Sequence, residues 1–97
     1  MQIEKKTDGG KLELKVTGRL DTNTSPDLEA AVKLDGVSEI VFDFAELEYI
    51  SSAGLRVLLS AQKAMMASGG TMTIANPNDA VRSVFEITGC SDIFTIV

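Results

Sequence analysis

Histidine and tryptophan are absent from this 97-residue chain, and cysteine and tyrosine occur once each. Without histidine the commonest general base and the commonest metal ligand are missing. One cysteine with no histidine cannot build a zinc site, and it cannot close an internal disulfide, so a reducing cytoplasm is the expected setting. Cys90 reads as a small buried apolar group. Net charge is −5, with no basic stripe to neutralise phosphates, so neither nucleic acid nor an anionic membrane is an expected partner. No apolar run approaches the roughly 20 residues that cross a bilayer. The first residues, Met1 to Lys6, are polar and lack the apolar stretch of a secretion signal. Aspartates and glutamates do not fall at calcium-loop spacing, and neither Gly9-Gly10 nor Gly69-Gly70 belongs to a phosphate-cradling motif. No cofactor is implied.

What the chain does have is one domain's worth of patterned sequence, 44% of it apolar. Residues 2–6 and 11–17 read as strands around Asp8-Gly9-Gly10, which supplies the positive φ angles of a tight hairpin. Leu12, Leu14 and Val16 alternate with Lys11, Glu13 and Lys15, so one face is buried. Gly18-Arg19-Leu20-Asp21 leaves that strand. Thr24 or Ser25 caps a helix with Pro26 in its first turn; Leu28, Ala31, Val32 and Leu34 form its stripe and Gly36 ends it. Residues 39–44 read as a central strand burying Ile40, Phe42 and Phe44, and 45–50 as a connection with Leu47 and Ile50 tucked inward.

A long helix is expected from Ser51 or Ser52 to about residue 67. Leu55, Leu58, Leu59, Gln62, Met65 and Met66 lie on one side of it, with Arg56, Ser60 and Lys63 opposite and Val57, Ala61 and Ala64 on a flank. Thr71–Ala75 is a strand. Asn76-Pro77-Asn78-Asp79 starts a last helix lined by Val81, Val84, Phe85 and Thr88, and residues 93–97 form a last strand or an extended tail. The order ββαβαβαβ implies an α/β fold: a mostly parallel mixed sheet with an N-terminal hairpin and about three helices packed on it.

Two patterns suggest catalysis only formally. Ser60-Ala61-Gln62-Lys63 matches a nucleophile–lysine spacing, but it lies on an exposed mid-helix face without companion motifs. Glu46 and Glu48 have no apolar pocket to separate their pKa values. No catalytic residue is expected, and no enzyme. The remaining signal is Tyr49-Ile50-Ser51-Ser52-Ala53-Gly54-Leu55. Serine hydroxyls there would cap a helix, and Gly54, which costs about 1 kcal/mol relative to Ala inside a helix, would be explained by close approach of another backbone or of a partner.

Val41-Phe42-Asp43-Phe44, Leu47 and Tyr49 through Leu59 together resemble the signature of STAS domains, most of all the stand-alone bacterial anti-sigma-factor antagonists. The resemblance covers nearly the whole chain, 1–97 as one domain. Gly18-Arg19-Leu20-Asp21, Gly69-Gly70, Phe85, Ile87, Gly89 and Ile93 match its flanking elements. The family motif reads Asp-Ser-Ser/Thr-Gly, which puts the phosphoacceptor on Ser52 and the glycine on Gly54. Ser51 stands at the family's Asp and Ala53 at its second hydroxyl. The resemblance implies a cytoplasmic switch; a monomer is favoured, with the oligomeric state open. Unphosphorylated, it binds an anti-sigma factor with serine-kinase activity; a serine phosphatase restores that state. Asp21, Ser51, Ser52, Ala53, Gly54, Arg56 and Val57 are the expected partner surface. The alternative is a constitutive scaffold or sensory module that is never phosphorylated.

Overall fold

The computed structural model describes all 97 residues. The chain opens with a hairpin: β1 (Gln2–Asp8) pairs antiparallel with β2 (Lys11–Leu20) across the two-residue turn Gly9-Gly10. Helix α1 (Ser25–Ala31), strand β3 (Glu39–Asp43) and strand β4 (Leu47–Ile50) follow. The long helix α2 (Ser52–Ser68) leads to β5 (Thr71–Ala75), α3 (Asp79–Ile87), a 3-10 turn at Cys90–Asp92 and β6 (Thr95–Ile96). The sheet order is β1-β2-β3-β5-β6, with every pairing after the hairpin parallel. This is the expected mixed α/β architecture.

Alternation along the strands builds the core. Leu12, Leu14, Val16, Ile40, Phe42, Met72 and Ile74 point to the helix side and join one apolar cluster with Leu28, Leu58, Met65, Val81 and Phe85. Each such aliphatic or aromatic burial is worth about 1.5–3 kcal/mol. Phe85 meets Phe94 edge-on at 5.5 Å, which pins α3 to the terminal segment. Cys90 is buried among these groups. The opposite face of the sheet carries Glu13, Lys15, Val41, Asp43 and Thr73, all part-exposed.

Several expectations are corrected. Strand β2 does not end at residue 17. It pairs with β3 over Lys11–Lys15 and then with β4 over Gly18–Leu20, and Gly18 takes φ +99, which L side chains rarely adopt. Residues 47–50 are therefore a strand. The register passes from Gly18↔Leu47 to Arg19↔Tyr49 and skips Glu48, a bulge that puts both Leu47 and Ile50 inward. Helix α1 stops at Ala31 and residues 32–38 continue as loop, so Gly36 does not end it. Thr24 is at its N-cap without capping. Its hydroxyl donates to the Arg19 carbonyl at 2.9 Å. Thr88 is exposed, its hydroxyl donating to the Val84 carbonyl at 2.7 Å.

Helix α2 is rotated from its expected setting. Its buried residues are Gly54, Leu55, Val57, Leu58, Ala61 and Met65. Leu59 is 37% exposed and Met66 69%. Helix α1 packs against the Val57 and Ala61 flank, and Glu29, Val32, Leu34, Val57, Ser60 and Ala61 line a shallow groove between them.

Candidate functional site

The site forms where β2 and β4 end together. Strands β2 and β4 run parallel, with Leu20 beside Ile50, and the Ser51 N–H donates to the Leu20 carbonyl at 2.9 Å. This bond brings the turn that starts at Asp21 next to the first residue of α2. The two segments, 30 residues apart in sequence, thus share one end of the sheet.

The Asp21 turn is closed by its own polar groups. The Asp21 carboxylate accepts the N–H groups of Asn23 at 3.0 Å and Thr24 at 3.1 Å. The Asp21 N–H donates to Thr24 Oγ1 at 2.8 Å, and the buried Ser25 hydroxyl donates to the Asp21 carbonyl. The Thr24 N–H above all, opposed next by desolvation and then helped by the Thr24 hydroxyl, the Asn23 N–H and the Arg19 charge, holds the Asp21 carboxyl below the ordinary value of 3.8. A lowered folded-state pKa means that this carboxylate stabilises the fold above the ordinary carboxylate range. That contribution is lost as pH falls through the lowered value.

The two serines have different surroundings. Ser51 is the N-cap residue of α2, with extended φ −102 and ψ 176, but its side chain caps nothing. Its Oγ is buried without a hydrogen-bond partner. Ser52 is exposed. The first turn of α2 contains no acidic residue and receives no side-chain cap. The expectation that these hydroxyls cap the helix is therefore corrected, and a positive dipole end stands uncompensated beside an accessible hydroxyl.

Gly54 has an internal reason. A Cβ there would lie 2.7 Å from Leu20 Cγ and 2.9 Å from Ile50 Cγ1, both core side chains. The close neighbours are side chains at the domain's own strand ends, not another backbone or a partner, and Gly54 lets α2 begin directly on top of them. Among the expected partner residues, Ser52 and Arg56 are exposed, Asp21, Ser51 and Ala53 are part-exposed, and Gly54 is buried. Val57 is only 5% exposed, because α1 covers that flank, so its side chain is not part of an exposed patch. Ser60 and Lys63 are both exposed, in keeping with a solvated helix side.

The sequence reading missed Arg19 and Tyr49 as site residues. They are neighbours across β2 and β4, and the Arg19 guanidinium carbon lies 4.3 Å above the Tyr49 ring centre. Both are exposed, with Tyr49 at 40%. The bulge that turns Tyr49 outward makes this pair, and no spacing rule in the sequence announces it. The structure also shows no cluster of three or more His, Cys, Asp or Glu side chains placed to hold a metal. None of its helices is long and apolar enough to cross a membrane.

These features define a class: a small α/β domain that presents a serine hydroxyl, an arginine and a hydrogen-bonded acidic turn at one end of its sheet. The family model for the STAS domain matches residues 2–97, and the chain belongs to that family. An anti-sigma-B factor antagonist of Staphylococcus aureus (strain NCTC 8325 / PS 47) is 30% identical over 99 residues, which cover 99% of this chain and 92% of that protein. The anti-sigma factor antagonist SpoIIAA in its unphosphorylated form superposes with TM-score 0.86 at 20% identity, covering 99% of this chain and 88% of that one. The phosphorylated form of the Bacillus cell fate determinant SpoIIAA gives TM-score 0.78 at 20% identity, covering 99% and 91%. The first two of these relatives carry the name of anti-sigma factor antagonists.

Proposed function

We propose that this chain is a phosphorylation-controlled partner switch of the anti-sigma-factor-antagonist type, acting in the cytoplasm. With Ser52 unmodified it binds an anti-sigma factor that carries serine-kinase activity. The kinase transfers the γ-phosphoryl group of ATP to Ser52 Oγ, the hydroxyl proton departs, and ADP leaves. A serine phosphatase hydrolyses the ester and restores the binding form. The observation that carries this reading is the contrast at the start of α2: Ser52 is exposed in a first turn with no acidic residue, while the Ser51 Oγ is buried. A kinase can reach the first hydroxyl and not the second.

Asp21, part-exposed Ser51 and Ala53, and exposed Arg56 surround Ser52 as the contact surface, and Arg19 with Tyr49 extends it. Arginine and tyrosine are enriched where interfaces concentrate their binding energy. Gly54 and Val57 act from beneath, by seating the helix.

A constitutive scaffold is the second reading, favoured by Ser51 and Ala53 standing where the family motif has Asp and a second hydroxyl. Intact-mass spectrometry of the protein from its native cells, with peptide mapping, separates the two. The switch predicts one added phosphate on Ser52, and partner capture that Ser52→Ala preserves and phosphorylation abolishes. An unmodified mass under all growth conditions, with a partner still bound, would establish the scaffold.

A further inference from the structure

Helix α2 carries two cations, Arg56 and Lys63, and no carboxylate between Ser52 and Ser68, in a chain of 14 acidic and 9 basic residues. Ser52 and Arg56 are both exposed and stand four positions apart on this helix. Side chains at that spacing lie one above the other, with Cβ atoms about 5–6 Å apart, and an anion N-terminal to a cation is the favourable order. A phosphoserine carries about −1.5 to −2 charges and three acceptor oxygens at neutral pH. A guanidinium offers parallel N–H donors that match two of those oxygens.

We infer that phosphorylation of Ser52 creates an intrahelical phosphoserine–Arg56 pair, so that the modification consumes the one cation in the first two turns of α2 as it adds its own charge. The inference rests on Ser52 being the phosphoacceptor. Charges on neighbouring elements include Asp21, brought close by the Leu20–Ser51 bond, Arg19, held over Tyr49, and exposed Glu48 in β4. Lys63 lies seven residues beyond Arg56. None of these changes when position 56 is substituted, so the comparison isolates Arg56.

The test uses the full chain with phosphoserine installed at position 52 during translation, followed by 31P NMR through a pH titration. The second phosphate pKa is expected below the value of about 6 for an unpaired phosphoserine. Arg56→Gln is expected to raise it by about half a unit, a modest shift for an opposite charge in solvent. Arg56→Lys recovers part of the difference and Lys63→Gln changes nothing. The Arg56 Nε–H resonance shifts on phosphorylation. A midpoint that Arg56→Gln leaves in place, or an Arg56 resonance blind to the phosphate, overturns the pair. Because the phosphate is installed rather than enzymatic, the two claims fail separately. An unmodified chain in cells defeats the functional reading and leaves the pair intact, whereas a midpoint unmoved by Arg56→Gln defeats only the pair.

Discussion

Gly54 links the sequence to the site at the scale of single atoms. From local rules it is a defect, a helix-weakening residue in the first turn. In the fold it is a seat: a methyl group there would press on Leu20 and Ile50 at 2.7 and 2.9 Å. Alanine would gain up to about 1 kcal/mol of helix propensity but overpack a core that yields poorly, at about 1–3 kcal/mol. Gly54→Ala is therefore expected to lose about 1 kcal/mol net by urea denaturation, with amide shifts spreading to Ser52 and Leu20. A variant as stable as the parent would mean that the strand ends give way and that Gly54 does not set the height of Ser52. Ser51 teaches the complementary lesson. A serine at an N-cap position ordinarily caps, yet here the backbone enters the helix through the Leu20 hydrogen bond and the hydroxyl points into the protein. Capping rules describe an isolated helix start, and this one is docked on a strand.

At the scale of elements, the hairpin, β3, α2, β5 and α3 were legible in the sequence because period-2 and period-3.6 patterns are clean there. Strand β4 was not. Its pattern, buried at Leu47 and Ile50 and exposed at Glu48 and Tyr49, has neither period, since the bulge inserts one residue between the inward positions. The same bulge hid the Arg19–Tyr49 pair. The face of α2 was misjudged for a different reason. Apolar residues span so much of its circumference that periodicity finds the helix without saying which flank α1 covers. Burial now distinguishes two residues that the sequence ranked the other way. Val57→Ala, at 5% exposure beneath α1, is expected to cost about 1–3 kcal/mol through lost burial and a residual cavity. Met66→Ala, at 69% exposure, is expected to stay within about 0.5 kcal/mol. Thermal or urea unfolding of the pair decides it, and a larger loss for Met66→Ala than for Val57→Ala would mean that α2 is turned as the sequence alone suggested.

For the whole molecule, the question is whether a phosphate at Ser52 changes the fold or only its surface. The core is a single apolar cluster on the helix side of the sheet, and Ser52 projects from the end of that layer without entering it. Nothing buried has to move to admit the group. The first turn of α2 has free N–H groups and no acidic neighbour on the helix, so the added charge meets a favourable dipole, worth about 0.3–1 kcal/mol at an exposed terminus. Asp21 opposes this, since its carboxyl is held in the charged form across the adjoining turn. It lies on another element and is already occupied by the Asn23 and Thr24 amides, so it subtracts from the gain without reversing it. The phosphorylated chain is accordingly expected to unfold at the same temperature as the unmodified chain or a few degrees higher. Its amide spectrum should change only around Asp21 and the first two turns of α2. A lowered midpoint with shifts throughout β3 and β5 would mean that the switch works by loosening the domain. Preserved stability with local shifts places the control where the two forms differ, in the charge and shape that one end of the sheet offers to a partner.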